Sequence, residues 1–451
     1  MSTALVILAA GKGTRMNSDL PKVLHPIAQA PMLEHAMAAG RALEPERIVV
    51  VAGHGAEAVR GAVAEIDESA EVVLQEEQLG TAHAVDQARD ALTGFTGDVV
   101  VLYGDTPFVS GDTITRMIKA RASADLVVLG FEAADPGRYG RLVMEGESLE
   151  RIVEFKDASD AERAITFCNS GLMACAAPMM FDLIAEVGND NASGEYYLTD
   201  LVELARAKGL RVTAVACDET ETLGINSRAE LARADALFQT RARTEALDNG
   251  VTLMAPDTVY FAYDTVVGRD TVIEPNVVFG PGVTVESGAL IRAFSHLEGC
   301  HVSRGAKVGP YARLRPGAEL AEDTHIGNFV EIKNAEIKAG AKVNHLSYVG
   351  DATVGEATNI GAGTITCNYD GVMKHRTEIG ARSFIGSNTL LVAPVRVGDE
   401  AMTASGTVVT KEVADGDLAI ARSPQENKPG RARKLMDMLR AKKARKTKGA
   451  K

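Results

Sequence analysis

The chain has no tryptophan, aromatic residues make up only 5% of its 451 positions, and cysteine occurs five times. Cys168, Cys175, Cys217, Cys300 and Cys367 are odd in number and fall in no CxxC or Cys/His cluster of metal-binding spacing. That excludes a disulfide framework and a thiolate metal centre, and free thiols fit a soluble, cytoplasmic protein. Long apolar runs are missing too. None reaches the ~18 residues that a membrane span requires, and the opening "MSTALVILAAGKG" has no basic leader ahead of a long apolar stretch. Neither a span nor a signal peptide is expected. Excess positive charge is also lacking. A net charge of −13 argues against nucleic acid or a membrane surface as partner of the whole chain. With 46% hydrophobic residues and so few rings, the core is expected to be thin and aliphatic in at least one part.

What is plentiful is glycine, with 43 residues, and pattern. From 1 to 227, "ALVILAA", "RIVVVAGH", "EVVLQ", "DVVVLYGD" and "ADLVVLGFEA" read as buried parallel strands. "PMLEHAMAAGRAL" and "GTAHAVDQARDAL" between them have helical spacing. The order predicts a Rossmann-like, doubly wound α/β domain that binds its ligand at the carboxyl ends of the strands. Residues 228–250 read as a linker helix. From 251 to 428 the period becomes six. Aliphatic residues recur from Ile273, Phe279 and Val285 through Ile360, and again from Ile379 to Val409, with three steps of five. Such hexads predict a parallel β-helix with the recurring residue inside, left-handed in its hexapeptide form. "TCNYDGVMKHRTE", 366–378, breaks the period and must leave the coil as a loop. The tail from 429 to 451 carries ten Lys or Arg against one Asp and is expected to be frayed or disordered.

Behind the first strand lies "LAAGKGTRM", Leu8 to Met16. It is no Walker loop, because Gly11-Lys12 opens it, and no dinucleotide fingerprint, because Met16 takes the third glycine's place. Gly11 and Gly13 would let backbone N–H groups approach phosphate, aided by the dipole of a following helix, with Arg15 and Lys22 adding charge. A tight turn with solvated cations is the plainer alternative. Asp105 ends the strand in "VVVLYGDTP" and suits Mg²⁺, which takes few protein oxygens plus phosphates; capping the next turn is its plainer role. In "KVNHLSY", His345 is the best candidate base, since an unperturbed histidine titrates near pH 6.5. A surface histidine making one hydrogen bond is the competing reading, and Lys333 reads equally well as a solvated cation.

These motifs, with "DLPKVLH", "QLGTAHA", "GEYYLTD" and "GINSR" in the first half and "RLRPGAEL", "GNFVEIKNA", "HLSYVGDA", "NIGAGTITCNYDG" and "FIGSNTLLVAPV" in the second, carry a resemblance. The chain resembles, over residues 3 to 425, the bacterial family of bifunctional N-acetylglucosamine-1-phosphate uridylyltransferases/glucosamine-1-phosphate acetyltransferases. The resemblance implies that Leu8, Ala9, Ala10, Gly11, Arg15 and Lys22 hold the phosphates of UTP. It further implies Gln75, Gly80 and Thr81 at the uracil, and Tyr103 and Gly104 beside Asp105. Gly140, Glu154 and Asn169 would hold the sugar, and Asp105 and Asn226 would bind Mg²⁺. For acetylation it implies His345 as proton acceptor and Arg315 and Lys333 on the phosphate of glucosamine 1-phosphate. Tyr348 and Asn359 would hold its sugar, and Ala362, Asn368, Tyr369, Ser387, Ser405 and Arg422 would line the acetyl-CoA site. The family resemblance also implies a homotrimer and the supply of UDP-N-acetylglucosamine for peptidoglycan and lipopolysaccharide. Two residues depart from the common pattern. Ala82 replaces a frequent Gly and is expected to tighten the uridine pocket, and Ser405 replaces a frequent Ala near coenzyme A. Two further readings compete with bifunctionality: a nucleotidyltransferase with a purely structural β-helix, and a β-helical acetyltransferase with a nucleotide-binding first half. Asp105 with Lys22 tests the first activity, and His345 with Arg315 and Lys333 the second.

Overall fold

A computed structural model of the chain describes residues 2–191 and 193–448, which divide into two compact units. One extends to Asp248 and takes in Tyr260–Thr265; the other is Asn249–Val259 with the chain from Val266 onward.

The first unit is built on β1 (Thr3–Ala9), β2 (Arg47–Ala52), β3 (Glu71–Leu74), β4 (Asp98–Tyr103), β5 (Leu126–Glu132), β6 (Arg141–Glu145), β7 (Ser148–Val153), β8 (Phe167–Ala176) and β9 (Val212–Cys217). Seven strands run in the order β9-β5-β8-β4-β1-β2-β3, and the β6–β7 hairpin attaches to β8. Alternation along β1 explains its unbroken apolar sequence. Leu5, Ile7 and Ala9 pack on one face with Met37, Val59 and Met117, while Ala4, Val6 and Leu8 pack on the other with Val85, Met180 and Leu201. Strands covered on both faces have no room for polar alternation. The chain turns outward in both directions from β1, to β2 and to β4, which opens a crevice at their carboxyl ends.

The five runs read as parallel strands, β1 to β5, do run parallel, and the seven-strand order gains one antiparallel strand. β8 lies antiparallel between β4 and β5, with Met173 opposite Val101 and Val128. The chain leaves the carboxyl end of β5, makes the β6–β7 hairpin there and returns directly, without the crossover a parallel strand requires. The helix Arg228–Asp248 is more than a connector. Its Ala234 is buried with Ile27, Ala28, Met32 and Ile225, and Gln239 Nε2 donates to the Phe261 carbonyl at 2.8 Å.

The second unit is a stack of parallel coils with three faces. One face pairs Ile273 with Ile291, Val308, Ile326, Val343, Ile360, Ile385 and Thr403 in turn. Every hexad residue from Ile273 to Val409 named by the period is buried. Like therefore stacks on like, which is why the period survives over the whole unit. Corners force residues into the left-handed region, and they recur in columns: Asn276, Phe294, Tyr311, Phe329 and Leu346 on one, and Asp270, Asp323, Ala357, Arg382 and Glu400 on another. A third corner carries Gly282, Gly299 and Gly317, then Asn334 and Asp351. The excursion is shorter than expected, lying between strands Ile365–Cys367 and Thr377–Ile379. Thr366 keeps its buried place in the coil. The tail also differs from expectation: Arg431–Lys448 is a helix rather than disordered. Leu, Met, Ala, Lys and Arg dominate it, all strong helix formers. Residues 449–451 lie outside the described residues.

Candidate active sites

The carboxyl ends of β1 and β4 meet where the Gly104 N–H donates to the Leu8 carbonyl at 3.0 Å. Here a cleft of about 290 Å³ is lined by Leu8, Ala9, Ala10, Gly11, Lys22, Gln75, Gly80, Thr81, Tyr103 and Asp105, with Gln78 and Glu195. Sequence reasoning missed the last two. Gln78 Nε2 donates to the Ala10 carbonyl at 3.0 Å and so ties the "LAAGKGTRM" loop to the "QLGTAHA" segment, a link visible only after folding. The two loop glycines differ in kind. Gly13 has φ +56° and a Cβ there would stand 2.7 Å from Lys22 Cβ, whereas nothing lies within 4 Å of a Cβ on Gly11. Space, rather than backbone strain, is what Gly11 preserves.

The helix expected behind the loop is a single 3₁₀ turn, Thr14–Met16. Met16 is buried, and its carbonyl accepts from Arg228 Nε at 3.2 Å. No long helix needs the third glycine's close approach, which accounts for the methionine. Arg15 is exposed and does not line the cleft.

Lys22 sits on a short turn, Lys22–Leu24. Its Nζ is paired with Asp105 Oδ2 and donates to Asn226 Oδ1 at 3.0 Å. Backbone contacts bring those two oxygens together: the Ile225 N–H donates to the Asp105 carbonyl at 3.0 Å, and the Asn226 N–H to Glu230 Oε2 at 2.6 Å. Gln75 is buried, and its Nε2 reaches the Gly80 carbonyl at 3.2 Å and His83 Nδ1 at 3.0 Å. Gly80 has φ +120°, and a Cβ there would meet the Tyr196 carbonyl oxygen at 2.4 Å. Ala82 is fully buried in the core and does not line the cleft, so its methyl does not tighten the pocket.

Farther along the crevice, the Asn169 N–H donates to the Gly140 carbonyl at 2.8 Å, and Glu154 Oε1 lies 3.4 Å from where a Cβ on Gly140 would be. These three residues therefore do converge. Burial, with Asp157 and Asp200 nearby, pushes the Glu154 carboxyl above its ordinary range. Burial also raises Tyr103, reinforced by Asp105 and Glu154 and opposed by a hydrogen bond with Thr81.

In the second unit, two corners flank one face. Along the first, each residue is joined to the next coil. The His345 carbonyl accepts from Gly363 N at 3.2 Å, Ala362 from Asn388 N at 2.7 Å and Ser387 from Gly406 N at 2.8 Å. Arg422 Nη1 donates to the Ser405 carbonyl. Of the residues expected for acetyl-CoA, Ala362, Ser387 and Ser405 thus form a line down the stack, one coil apart at about 4.8 Å each, whereas Asn368 and Tyr369 lie off it.

On the second corner, Asp351 is buried and accepts from Asn334 Nδ2 at 2.6 Å and from Asn368 Nδ2. Asn368 Nδ2 also reaches the Tyr348 hydroxyl at 3.3 Å. Burial alone would raise the Asp351 carboxyl, but these hydrogen bonds and the Lys374 and Lys333 ammoniums hold it below the usual range. Lys374 was missed in the sequence because it sits in the irregular excursion, where Tyr369 pairs antiparallel with it. Lys374 beside it, then partial burial and Arg315, lowers the Lys333 ammonium. Arg315 is held by Glu331 at 2.8 Å. Tyr369 is exposed on the excursion. Asn359 stands apart: it lies on the neighbouring face, in register with Lys342 and Phe384.

Among the described residues no helix is long and apolar enough to cross a membrane. Residues 5–195 match the family of MobA-like NTP transferase domains, and residues 264–299 match the bacterial transferase hexapeptide (six repeats). The bifunctional protein GlmU of Ruegeria sp. (strain TM1040) is 83% identical over 449 residues, covering 100% of each chain. That of Roseobacter denitrificans is 68% identical over 450 residues, again covering 100% of each. A crystal structure of UDP-glucose pyrophosphorylase complexed with UDP-glucose overlaps 53% of this chain and 100% of its own, at TM-score 0.44 and 19% identity. With such identity to curated relatives along its full length, the chain belongs to the GlmU family of bifunctional enzymes, uridylyltransferase and acetyltransferase in one polypeptide.

Proposed function

We propose an assignment of this chain's residues to two successive reactions. In the second unit, glucosamine 1-phosphate is acetylated from acetyl-CoA; in the first, a uridylyl group from UTP is transferred to the resulting N-acetylglucosamine 1-phosphate. The observation that carries the first assignment is the convergence of Asp105 and Asn226 on the Lys22 ammonium. Two oxygen donors aimed at one cation fit Mg²⁺, which completes its shell with phosphate oxygens. When bound, Mg²⁺ supplies charge neutralisation for the triphosphate and the pyrophosphate leaving group. The open space at Gly11 admits phosphate to the loop backbone, with Lys22 and the exposed Arg15 as cations. Gln75, fixed through its Nε2, leaves Oε1 for a base N–H, with Gly80 and Thr81 beside it. Gly140, Glu154 and Asn169 bind the sugar. An oxygen of the sugar phosphate attacks the α-phosphorus in line and pyrophosphate leaves. No covalent enzyme intermediate is needed, so positioning and charge do the catalysis.

For acetyl transfer, Arg315, Lys333 and Lys374 form a phosphate socket. Ammoniums held side by side are unfavourable until an anion joins them. Tyr348 and Asn359 take the sugar, His345 accepts the amine proton, and Ala362, Asn368, Tyr369, Ser387, Ser405 and Arg422 take acetyl-CoA.

Asn359 and the Arg315 cluster lie on two faces of a convex coil, which alone encloses little. A neighbouring copy would close the site, which supports a homotrimer. Phe294, Tyr311, Phe329 and Leu346, 47–62% exposed, form an apolar column beside His345. Their rings stack at 4.9 and 5.2 Å. Left-handed backbone disfavours bulky side chains, and an exposed apolar column marks an association surface. The test is incubation with glucosamine 1-phosphate, acetyl-CoA, UTP and Mg²⁺, omitting each in turn. Thiol release should survive loss of UTP and Mg²⁺, and Asp105→Asn should abolish only UDP-sugar.

A further inference from the structure

We infer that Asn328 is a positioning residue for acetyl transfer: its amide oxygen holds the Nδ1–H of His345 and leaves Nε2 as the free base. This rests on the assignment of His345 as proton acceptor.

Asn328 ends the strand His325–Asn328, and the ladder sets it directly opposite His345 on the next coil. One bond joins the two side chains and another ties Asn328 to the residue after His345. The Leu346 N–H donates to the Asn328 carbonyl at 3.1 Å, and Asn328 Oδ1 lies 2.8 Å from His345 Nδ1. His345 is exposed at its corner, where an imidazole is free to sample several rotamers. The amide bond confines it. An amide oxygen can only accept, so Nδ1 must carry the proton and Nε2 the lone pair.

The identity of the partner matters as much as its position. The charged groups on the neighbouring strands of this face are cationic. His325 is lowered by burial first and then by Arg292, Lys307, Lys342 and His345 itself. A carboxylate at position 328 would stabilise imidazolium, whereas a neutral amide orients the ring without trapping the proton. In the reaction the amine nitrogen attacks the thioester carbonyl carbon and its proton passes to Nε2. The C–S bond breaks with its electron pair on sulfur, and the imidazolium returns the proton to the thiolate. The histidine ends the cycle neutral, as it began.

The test uses the full chain. Asn328→Ala should lower kcat for acetyl transfer by roughly 10- to 100-fold, with KM for both substrates within about twofold and uridylyl transfer unchanged. Asn328→Asp keeps the shape and the acceptor, so it should recover most of kcat. Its negative charge favours imidazolium, so the acid limb of kcat/KM should move up by about one pH unit. If Asn328→Ala matches the wild type in kcat and pH profile while His345→Ala is inactive, the positioning role is wrong and the base assignment stands. Acetyl transfer surviving in His345→Ala would instead overturn the base assignment itself. Should Asn328→Ala misfold, as thermal unfolding would reveal, the Asp variant decides alone: an unshifted acid limb rejects the proposal.

Discussion

The two units hold phosphorylated sugars with opposite kinds of backbone. In the first, the cleft proposed for the nucleotide draws on residues 8–11, 22, 75–81, 103–105 and 226, segments far apart in sequence that a crossing topology gathers at the carboxyl ends of central strands. In the second, Asn328, His345, Ala362, Ser387, Ser405 and, by its side chain, Arg422 follow one another down a single corner. The regular coil supplies that line at no topological cost, but it is convex and cannot enclose what it binds. Strand ends gathered by a crossing topology make their own concavity; a convex coil would have to borrow one from a neighbouring copy. The first unit should therefore work as a monomer, and the second should not.

The largest effect should come from crossing the two sites. His345→Ala should lose acetyl transfer by roughly 10²–10⁴-fold, the usual worth of a positioned base, with uridylyl transfer intact; Asp105→Asn should do the converse. A joint loss in either variant, with the fold preserved, would show that the units are not chemically separate.

Association sharpens the contrast next. Phe329→Asp puts a charge into the apolar column, where each copy in a symmetric assembly meets it. Self-association should weaken by roughly 10²-fold, and acetyl transfer should fall with the fraction of assembled protein. Uridylyl transfer per chain should hold. Sedimentation of an unchanged species, or an active monomer, would remove the column from the interface.

Much of this was legible beforehand because it repeats. A buried hexad residue is specified more than twenty times over, and Thr403 in its place in "TASGTV" is still buried. β1, β2 and β4 are continuous apolar runs because both faces are covered. The antiparallel β8 was not legible, because "FCNSGLMACA" is buried on both faces like its parallel neighbours, and direction leaves no mark on composition. Nor was Asp351, whose significance lies in Asn334 and Asn368 arriving from other coils. The helix of the basic tail leaves no mark in charge density, only in the helix propensity of its Leu, Met, Ala, Lys and Arg. In the candidate site, residues within a motif were legible as candidates, whereas residues that tie motifs together, Gln78 and Lys374 among them, needed the fold.

The glycines offer a finer test. Gly80→Ala forces an unfavourable φ and a clash with the Tyr196 carbonyl, so it should destabilise the first unit by about 1–3 kcal/mol. Gly11→Ala meets nothing within 4 Å and should leave stability within about 0.5 kcal/mol. Its methyl would instead occupy space the phosphates need, raising KM for UTP about tenfold. Equal melting shifts in the two variants would mean that Gly11 is structural after all.

The smallest effect concerns Glu154, and its sign follows from its surroundings. Burial and the nearby Asp157 and Asp200 disfavour the carboxylate, so it takes up a proton at higher pH than an exposed glutamate does. In the proposed sugar site the ion would accept hydrogen bonds from hydroxyls with both oxygens; the neutral acid would have to spend one as a donor. As pH falls through this raised range, KM for N-acetylglucosamine 1-phosphate in uridylyl transfer should climb severalfold, because a hydrogen bond to a charged group outweighs one to a neutral group by about 1 kcal/mol. The loss should set in before ordinary surface carboxylates begin to titrate. Glu154→Gln cannot titrate, so its KM should start high and stay flat across the same range, with kcat little changed. A wild-type KM with no acid limb above the range of ordinary carboxylates, or a Gln variant that follows the same acid limb as the wild type, would assign the titration to another group.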